Sequence, residues 1–252
     1  MIATSGVFGA GRGEPYVRVL TGPRPASLVL RSVDGSHDPF LLDVGSWVRA
    51  ASPADLTALD AATGPTLDVG CGPGRMVRAA AARAIPALGI DIASHAVART
   101  RVDGSLALQR SVFDRLPLEG RWQTILLMDG NLGIGGDPEA LFRRCAALLA
   151  PGGSLVIEVD PDDALAVCST CVLVDDDGHE SDPFPWARMG TLEAESAVVR
   201  AGLAVVMRWA AAGRQFLRAA RAEEGDARRT PATAATATVM ATRAQATASE
   251  LA

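Results

Sequence analysis

The chain contains no lysine; all 24 of its basic residues are arginines, in 252 positions. Two large classes of chemistry are thereby excluded, because neither the phosphate-gripping lysine of a P-loop nor a Schiff-base lysine can be supplied. The Tyr-x-x-x-Lys pair of many nicotinamide enzymes is missing for the same reason. Cysteine is scarce: Cys71, Cys145, Cys168 and Cys171 are too few and too scattered for a disulfide framework in a chain of this length. Reduced thiols are expected. Positive charge is in deficit, with 29 acids against 24 arginines leaving −5, which disfavours a nucleic-acid partner. No stretch of about 18 uninterrupted apolar residues occurs, and the first residues lack a basic region followed by an apolar core. The expectation is a cytoplasmic protein with no membrane partner.

With 48% hydrophobic and 21% charged residues, the chain can bury one substantial core, most simply one α/β domain with appendages. Residues 1–50 mix Gly, Pro and Arg with short apolar pieces and read as an N-terminal appendage capping a binding site. Ser52-Pro53 predicts a helix start, N-cap followed by a proline in the first turn, over about 53–62. From residue 66 to 159 apolar strands alternate with helices. Strands are predicted at 66–69, 87–91, 107–112, 124–128 and 154–159, and helices at 76–83, 94–99 and 138–149. Such alternation implies right-handed crossovers and a parallel sheet. Residues 160–190 break the rhythm and read as a β-hairpin insertion. A helix over 192–201 and segments 203–209 and 214–219 then predict a closing antiparallel pair. The main domain therefore runs over 51–222, followed by an Ala/Thr-rich tail, 223–252, too poor in apolar mass to offset its ordering entropy.

The richest segment is Leu67-Asp-Val-Gly-Cys-Gly-Pro-Gly74, an apolar strand ending in an acid and running into Gly70, Gly72 and Gly74 around Cys71. Glycines at this spacing let main chain approach a nucleotide-like ligand where a Cβ would collide. The dinucleotide pattern G-x-G-x-x-G needs a small residue at position 75, where this chain has Arg75. Asp91 ends the next strand, at the interval of about 20 residues that separates a glycine turn from a ribose-binding carboxylate.

The segments 67–74, Gly89-Ile-Asp91, Val112-Phe-Asp-Arg-Leu-Pro117 and Leu148-Leu-Ala-Pro-Gly-Gly153, in that order, resemble the class I S-adenosylmethionine-dependent methyltransferases, in particular small, Ala/Arg-rich bacterial members. The resemblance covers about residues 40–220. It implies a Rossmann-like fold: a seven-stranded, mostly parallel sheet with helices on both faces and an antiparallel C-terminal strand. It also implies S-adenosyl-L-methionine as cofactor, with Asp68 on its amino group, Gly70, Cys71, Gly72 and Gly74 beneath its methionine part, and Asp91 with Ile92 at the ribose. Ser111, Val112 and Phe113 fall at the adenine end. The family's adenine-binding Asp is replaced here by Ser111 or Val112, with Asp114 one shift away. Asp129, Gly130 and Asn131 follow the fourth strand, beside the transferable methyl.

The methyl of a sulfonium is intrinsically activated, so the main task is to align an acceptor with it. Where a proton must leave, Asp129, His179 or Asp137 is the candidate base. Phe184 and Trp186 either line an acceptor pocket or pack the hairpin onto the sheet. The expected partner is a small-molecule methyl acceptor. Two other readings compete: a nicotinamide-dependent oxidoreductase, and a non-catalytic S-adenosylmethionine-binding module. Cys168-Ser-Thr-Cys171 lacks the second ligand pair of a zinc site, so no metal is expected.

Overall fold

The computed structural model describes residues 6, 8, 14–22, 27–60, 62–102 and 104–221. The tail expected over 223–252 lies outside them. The N-terminal part supplies α1 (Pro15–Thr21), β1 (Leu28–Ser32), β2 (Phe40–Leu42), α2 (Val44–Val48) and α3 (Pro53–Leu59). Ser52 caps α3 in a capping box, its Oγ accepting from the Asp55 amide while the Asp55 carboxylate accepts from the Ser52 amide.

Strands and helices then alternate through β3 (Thr66–Val69), α4 (Arg75–Ala82), β4 (Ala87–Asp91), α5 (Ser94–Val102), β5 (Ala107–Gln109) and β6 (Trp122–Leu127). A 3-10 segment over 131–136 leads into α6 (Pro138–Leu148) and β7 (Leu149–Val159). After β8 (Ala166–Asp175) and β9 (Phe184–Met189), the chain ends its described part with α7 (Thr191–Arg200), β10 (Ala204–Ala211) and β11 (Arg214–Ala220). Helix α6 follows from its spacing: Leu141, Phe142, Cys145 and Leu148 share one face and are buried.

Seven strands form one sheet in the order β10-β11-β7-β6-β3-β4-β5. Strands β7, β6, β3, β4 and β5 run parallel to their neighbours, while β11 joins β7, and β10 joins β11, antiparallel. The chain moves outward from β3 through β4 to β5, then returns to β6 on the other side of β3. At that reversal the loops after β3 and β6 diverge and leave a crevice at their carboxyl ends. Leu67, Ile125, Leu127, Leu155 and Ile157 make the strands apolar and fully buried, as a sheet covered on both faces requires.

The insertion does not stand alone. Strand β8 pairs antiparallel with both β9 and the N-terminal β1, and β2 completes a second sheet of order β2-β1-β8-β9. Inward residues Leu28, Leu30, Cys171, Leu173 and Phe184 share a core with Tyr16 and Leu20 of α1. Arg18 of α1 donates from Nε to Asp175 at 3.0 Å, which ties the helix to the hairpin. The third parallel strand is shorter than its apolar run, ending at Gln109, because the Ser111 amide turns to the Asp114 carboxylate at 3.0 Å.

Candidate active site

Strand β3 delivers Asp68 to the crevice, and the turn after it is held by main-chain bonds from the Gly70 and Cys71 amides to the Ile90 carbonyl, at 2.8 and 3.0 Å. Gly70 has φ +69°, and a Cβ there would lie 2.7 Å from the Asn131 side-chain nitrogen. Gly74 has φ +85°, and its Cβ would meet Thr100 at 2.5 Å. Glycine is thus demanded at both positions by backbone conformation and by close approach. Asn131 donates from Nδ2 to the Val69 and Gly70 carbonyls at 2.9 and 3.0 Å, clamping the loop after β6 onto the glycine turn.

Asp68 and Asp91 lie on the wall of one cavity of about 410 Å³. Asp68 is only 3% exposed, and its carboxylate accepts no hydrogen bond from a described residue. Burial, reinforced by nearby Asp129 and opposed by Arg75, pushes its carboxyl up to about 7. Asp91 is better satisfied: it accepts from the Gly72 amide at 2.9 Å and the Ala93 amide at 2.8 Å. Burial still raises its carboxyl, and those amide bonds offset part of the rise. Two acceptor lone pairs per carboxylate oxygen leave it capacity for further donors.

Asp129 lies just past β6 with φ +54° and lines the same cavity. Its carboxylate takes the Arg75 guanidinium at 2.6 and 2.9 Å, and Arg214 lies 3.4 Å away. Burial raises its carboxyl and Arg75 pulls it back. Arg75 also reaches Asp55 at 3.1 Å; Arg214 joins Asp55 and Glu158, each at 2.5 Å. Three acids and two guanidinium groups thus form one partly buried network behind the cavity.

At the other end of the cavity, Ile92, Ser111, Val112 and Phe113 form the wall, and Cys71, Gly70 and Gly72 its floor. The Ser111 hydroxyl accepts from the Phe113 amide at 3.2 Å. Asp114, whose carboxylate is turned to the Ser111 amide, does not line the cavity. Gly130 borders an adjoining chamber of about 200 Å³.

Two candidate bases lie elsewhere. His179 sits in the β8–β9 turn with Nδ1 3.1 Å from Asp175, outside the cavity wall, because Asp175 gathers both His179 and Arg18. Asp137 is spent on the N-terminus of α6, accepting from the Ala140 amide at 2.9 Å. Of the expected bases, Asp129 alone borders the cavity.

Sequence reasoning named Phe184 and Trp186 of the aromatic end and missed Phe8, Tyr16 and Trp47. Phe8, Tyr16, Trp47, Phe184 and Trp186 line the cavity together, although the chain has only six phenylalanines, four tryptophans and one tyrosine. Phe8 contacts Tyr16, Phe184 and Trp186 with centroids 4.9–5.4 Å apart. The Tyr16 hydroxyl lies 3.4 Å from where a Gly72 Cβ would be and makes no hydrogen bond to a described residue. Burial, then the neighbouring Asp91, Cys71 and Asp129, raise its pKa well above the ordinary value, so it stays a neutral phenol. The only signal for this cluster was the concentration of rare rings in the segments flanking the sheet. Arg75, read as an obstacle to a dinucleotide, proves to be a structural hub.

Residues 46–205 match the family model described as a methyltransferase domain. Among solved structures, the chain resembles the S-adenosylmethionine-dependent methyltransferase from Bacteroides fragilis in complex with S-adenosyl-L-homocysteine, with 21% identity and a TM-score of 0.67 over 86% of this chain and 98% of that one. It also resembles the Burkholderia thailandensis 1,6-didemethyltoxoflavin-N1-methyltransferase, with 17% identity and a TM-score of 0.55 over 72% and 82%. At these identities the likeness is one of fold. A tetraacyldisaccharide 4'-kinase of Anaeromyxobacter dehalogenans is 39% identical over 144 residues, which are 54% of this chain and 37% of that protein. The chain therefore spans little more than a third of the length of the curated relatives it matches.

Proposed function

The chain belongs to the methyltransferase-domain family, and from that premise we propose an enzyme that transfers a methyl group from S-adenosylmethionine to a small-molecule acceptor. The observation that carries this reading is Asp68: a buried carboxylate with no hydrogen-bond partner among the described residues, facing a cavity at the point where strand order reverses. An unsatisfied buried acid is costly, and a ligand ammonium relieves that cost.

The residues fit the whole cofactor. Asp68 would hold the ammonium, the bare main chain of Gly70 and Gly72 would pass beneath the methionine part, and Asp91 would accept the ribose hydroxyls. Ile92, Val112 and Phe113 would enclose the adenine ring, with Ser111 at its edge. Gly130 and Asn131 would shape the loop beside the sulfur, and Asp129 would border the acceptor. Bound there, the sulfonium supplies an activated methyl group, while the protein orients the acceptor and excludes water. Residues 14–22, 27–50 and 160–190 would serve as the roof over the acceptor. Four free cysteines accord with a cytoplasmic setting, and no described helix is long and apolar enough to cross a membrane.

The nicotinamide reading is disfavoured because the position that must be small carries Arg75, whose guanidinium is committed to Asp55 and Asp129. The kinase activity named for the curated relatives does not carry over, since this chain has no lysine to set against a transferred phosphoryl group.

Calorimetric titration with S-adenosylhomocysteine tests the proposal. Binding is expected, and Asp91→Ala should weaken it about tenfold to a hundredfold, as loss of one charge-assisted hydrogen bond requires. A folded protein that ignores this ligand and instead binds NADH would reverse the assignment. Tyr16→Phe removes a neutral hydroxyl from the cavity wall and should cost about threefold to tenfold in ligand affinity, the scale of one neutral hydrogen bond. Unchanged affinity and turnover in that variant would show that its hydroxyl meets neither ligand.

A further inference from the structure

The cavity does not end at the Trp47–Trp186 side. A second chamber of about 200 Å³ adjoins it there, sharing Leu42, Trp47, Asp129 and Trp186 as common wall. The chamber is apolar over Phe40, Leu41, Leu132 and Met189. Its charged lining is unequal. Asp160 is matched by Arg188 at 2.5 Å, and Asp43 by Arg49 at 3.1 Å. Asp129 and Glu158, however, belong to the network of Asp55, Asp129 and Glu158 with Arg75 and Arg214. Three carboxylates face two guanidinium groups, so one negative charge is left at the junction of the two cavities.

Resting on the methyl-transfer reading above, we propose that the chamber is the acceptor subsite and that the acceptor is a small amine carried on an apolar body. Two features agree on this occupant. The surplus negative charge is compensated by an ammonium and aggravated by a carboxylate or phosphate. The indoles of Trp47 and Trp186 border the place where that charge would sit, and aromatic faces attract cations. A neutral alcohol would satisfy neither feature.

The ammonium first gives one proton to the Asp129 carboxylate. The freed nitrogen lone pair then bonds to the methyl carbon as the carbon–sulfur bond breaks, and that bond's electron pair stays on sulfur. The product leaves as a methylated ammonium beside S-adenosylhomocysteine. Asp129 suits this task because it borders both cavities, and burial raises its carboxyl, which makes the ionised group a better proton acceptor.

Three probes of matched body and different charge decide the matter: 2-phenylethylamine, 2-phenylethanol and 3-phenylpropionate, each titrated into protein saturated with S-adenosylhomocysteine. The amine should bind at least tenfold more tightly than the alcohol, with the propionate weakest. Trp47→Leu, a change at a partly exposed ring, should cut amine affinity about fivefold to tenfold in protein saturated with S-adenosylhomocysteine. Equal binding of the three probes, preference for the propionate, or no amine binding by protein that holds S-adenosylhomocysteine overturns this inference alone. A protein that never takes up S-adenosylhomocysteine overturns the parent reading and this one with it.

Discussion

Asp68→Asn should make the protein more stable and, at the same time, nearly abolish its hold on S-adenosylmethionine. The buried carboxyl is pushed up to about 7 from an ordinary value of about 4. The native state then binds a proton more tightly than the unfolded chain. Stability contributed by this group is fully present below about pH 4 and declines as pH rises toward 7, where the native carboxyl ionises. Above that, holding the bare carboxylate in the crevice costs up to about 4 kcal/mol, at 1.36 kcal/mol per unit. An isosteric neutral amide escapes this cost. The variant should therefore melt on the order of 10 °C higher at pH 8, given roughly 2–4 °C per kcal/mol for a chain of this size. At pH 4 the two proteins should melt together.

Ligand binding should respond in the opposite sense. Wild-type affinity for S-adenosylhomocysteine should climb between pH 6 and 8 as Asp68 ionises to meet the ammonium. In the variant it should be about a hundredfold weaker and flat across that range, because an amide gives up a charge-assisted bond worth about 1.5–3 kcal/mol. Melting curves and calorimetry at three pH values measure both effects. Equal melting temperatures at pH 8, or undiminished binding, would refute the assigned role.

The second large effect is expected at Arg75. Its guanidinium is 5% exposed and serves Asp55, itself 1% exposed, and Asp129 together. Arg75→Met keeps an apolar stem of similar length but leaves Asp55, Asp129 and Glu158 with Arg214 as their one remaining cation in the network, so that two negative charges lack compensation. Removing one partner of a buried ion pair typically costs about 3–5 kcal/mol. Denaturant titration should show a loss of that order. Adding Asp129→Asn to Arg75→Met should recover part of it, because one stranded charge disappears. Strict additivity of the two changes would mean that the contact carries no coupling energy.

Much of the sheet was readable because its signals are local. The glycine turn, the acids closing β3 and β4, and the apolar face of α6 each announce themselves within about a dozen residues. The antiparallel closing pair was legible for the same reason. The roof was not, because β1 and β8 pair across the length of the main domain, and nothing in either strand's own periodicity names its partner. Likewise Arg75 reads locally as the first residue of a helix. Its partners arrive from α3 and from the loop after β6, so only tertiary folding shows what it does. His179 misled for the converse reason: an imidazole beside three aspartates has a local explanation, and that explanation holds.

Strand β8 is hydrogen-bonded along both edges, to β1 from the N-terminal segment and to β9 from its own hairpin. A loop transplant that replaced residues 160–190 with the corresponding stretch of another enzyme would leave β1 with an unzipped edge. Retargeting this scaffold to a new acceptor therefore calls for exchanging 27–42 and 160–190 as one unit, two patches of chain that close like the halves of a clasp.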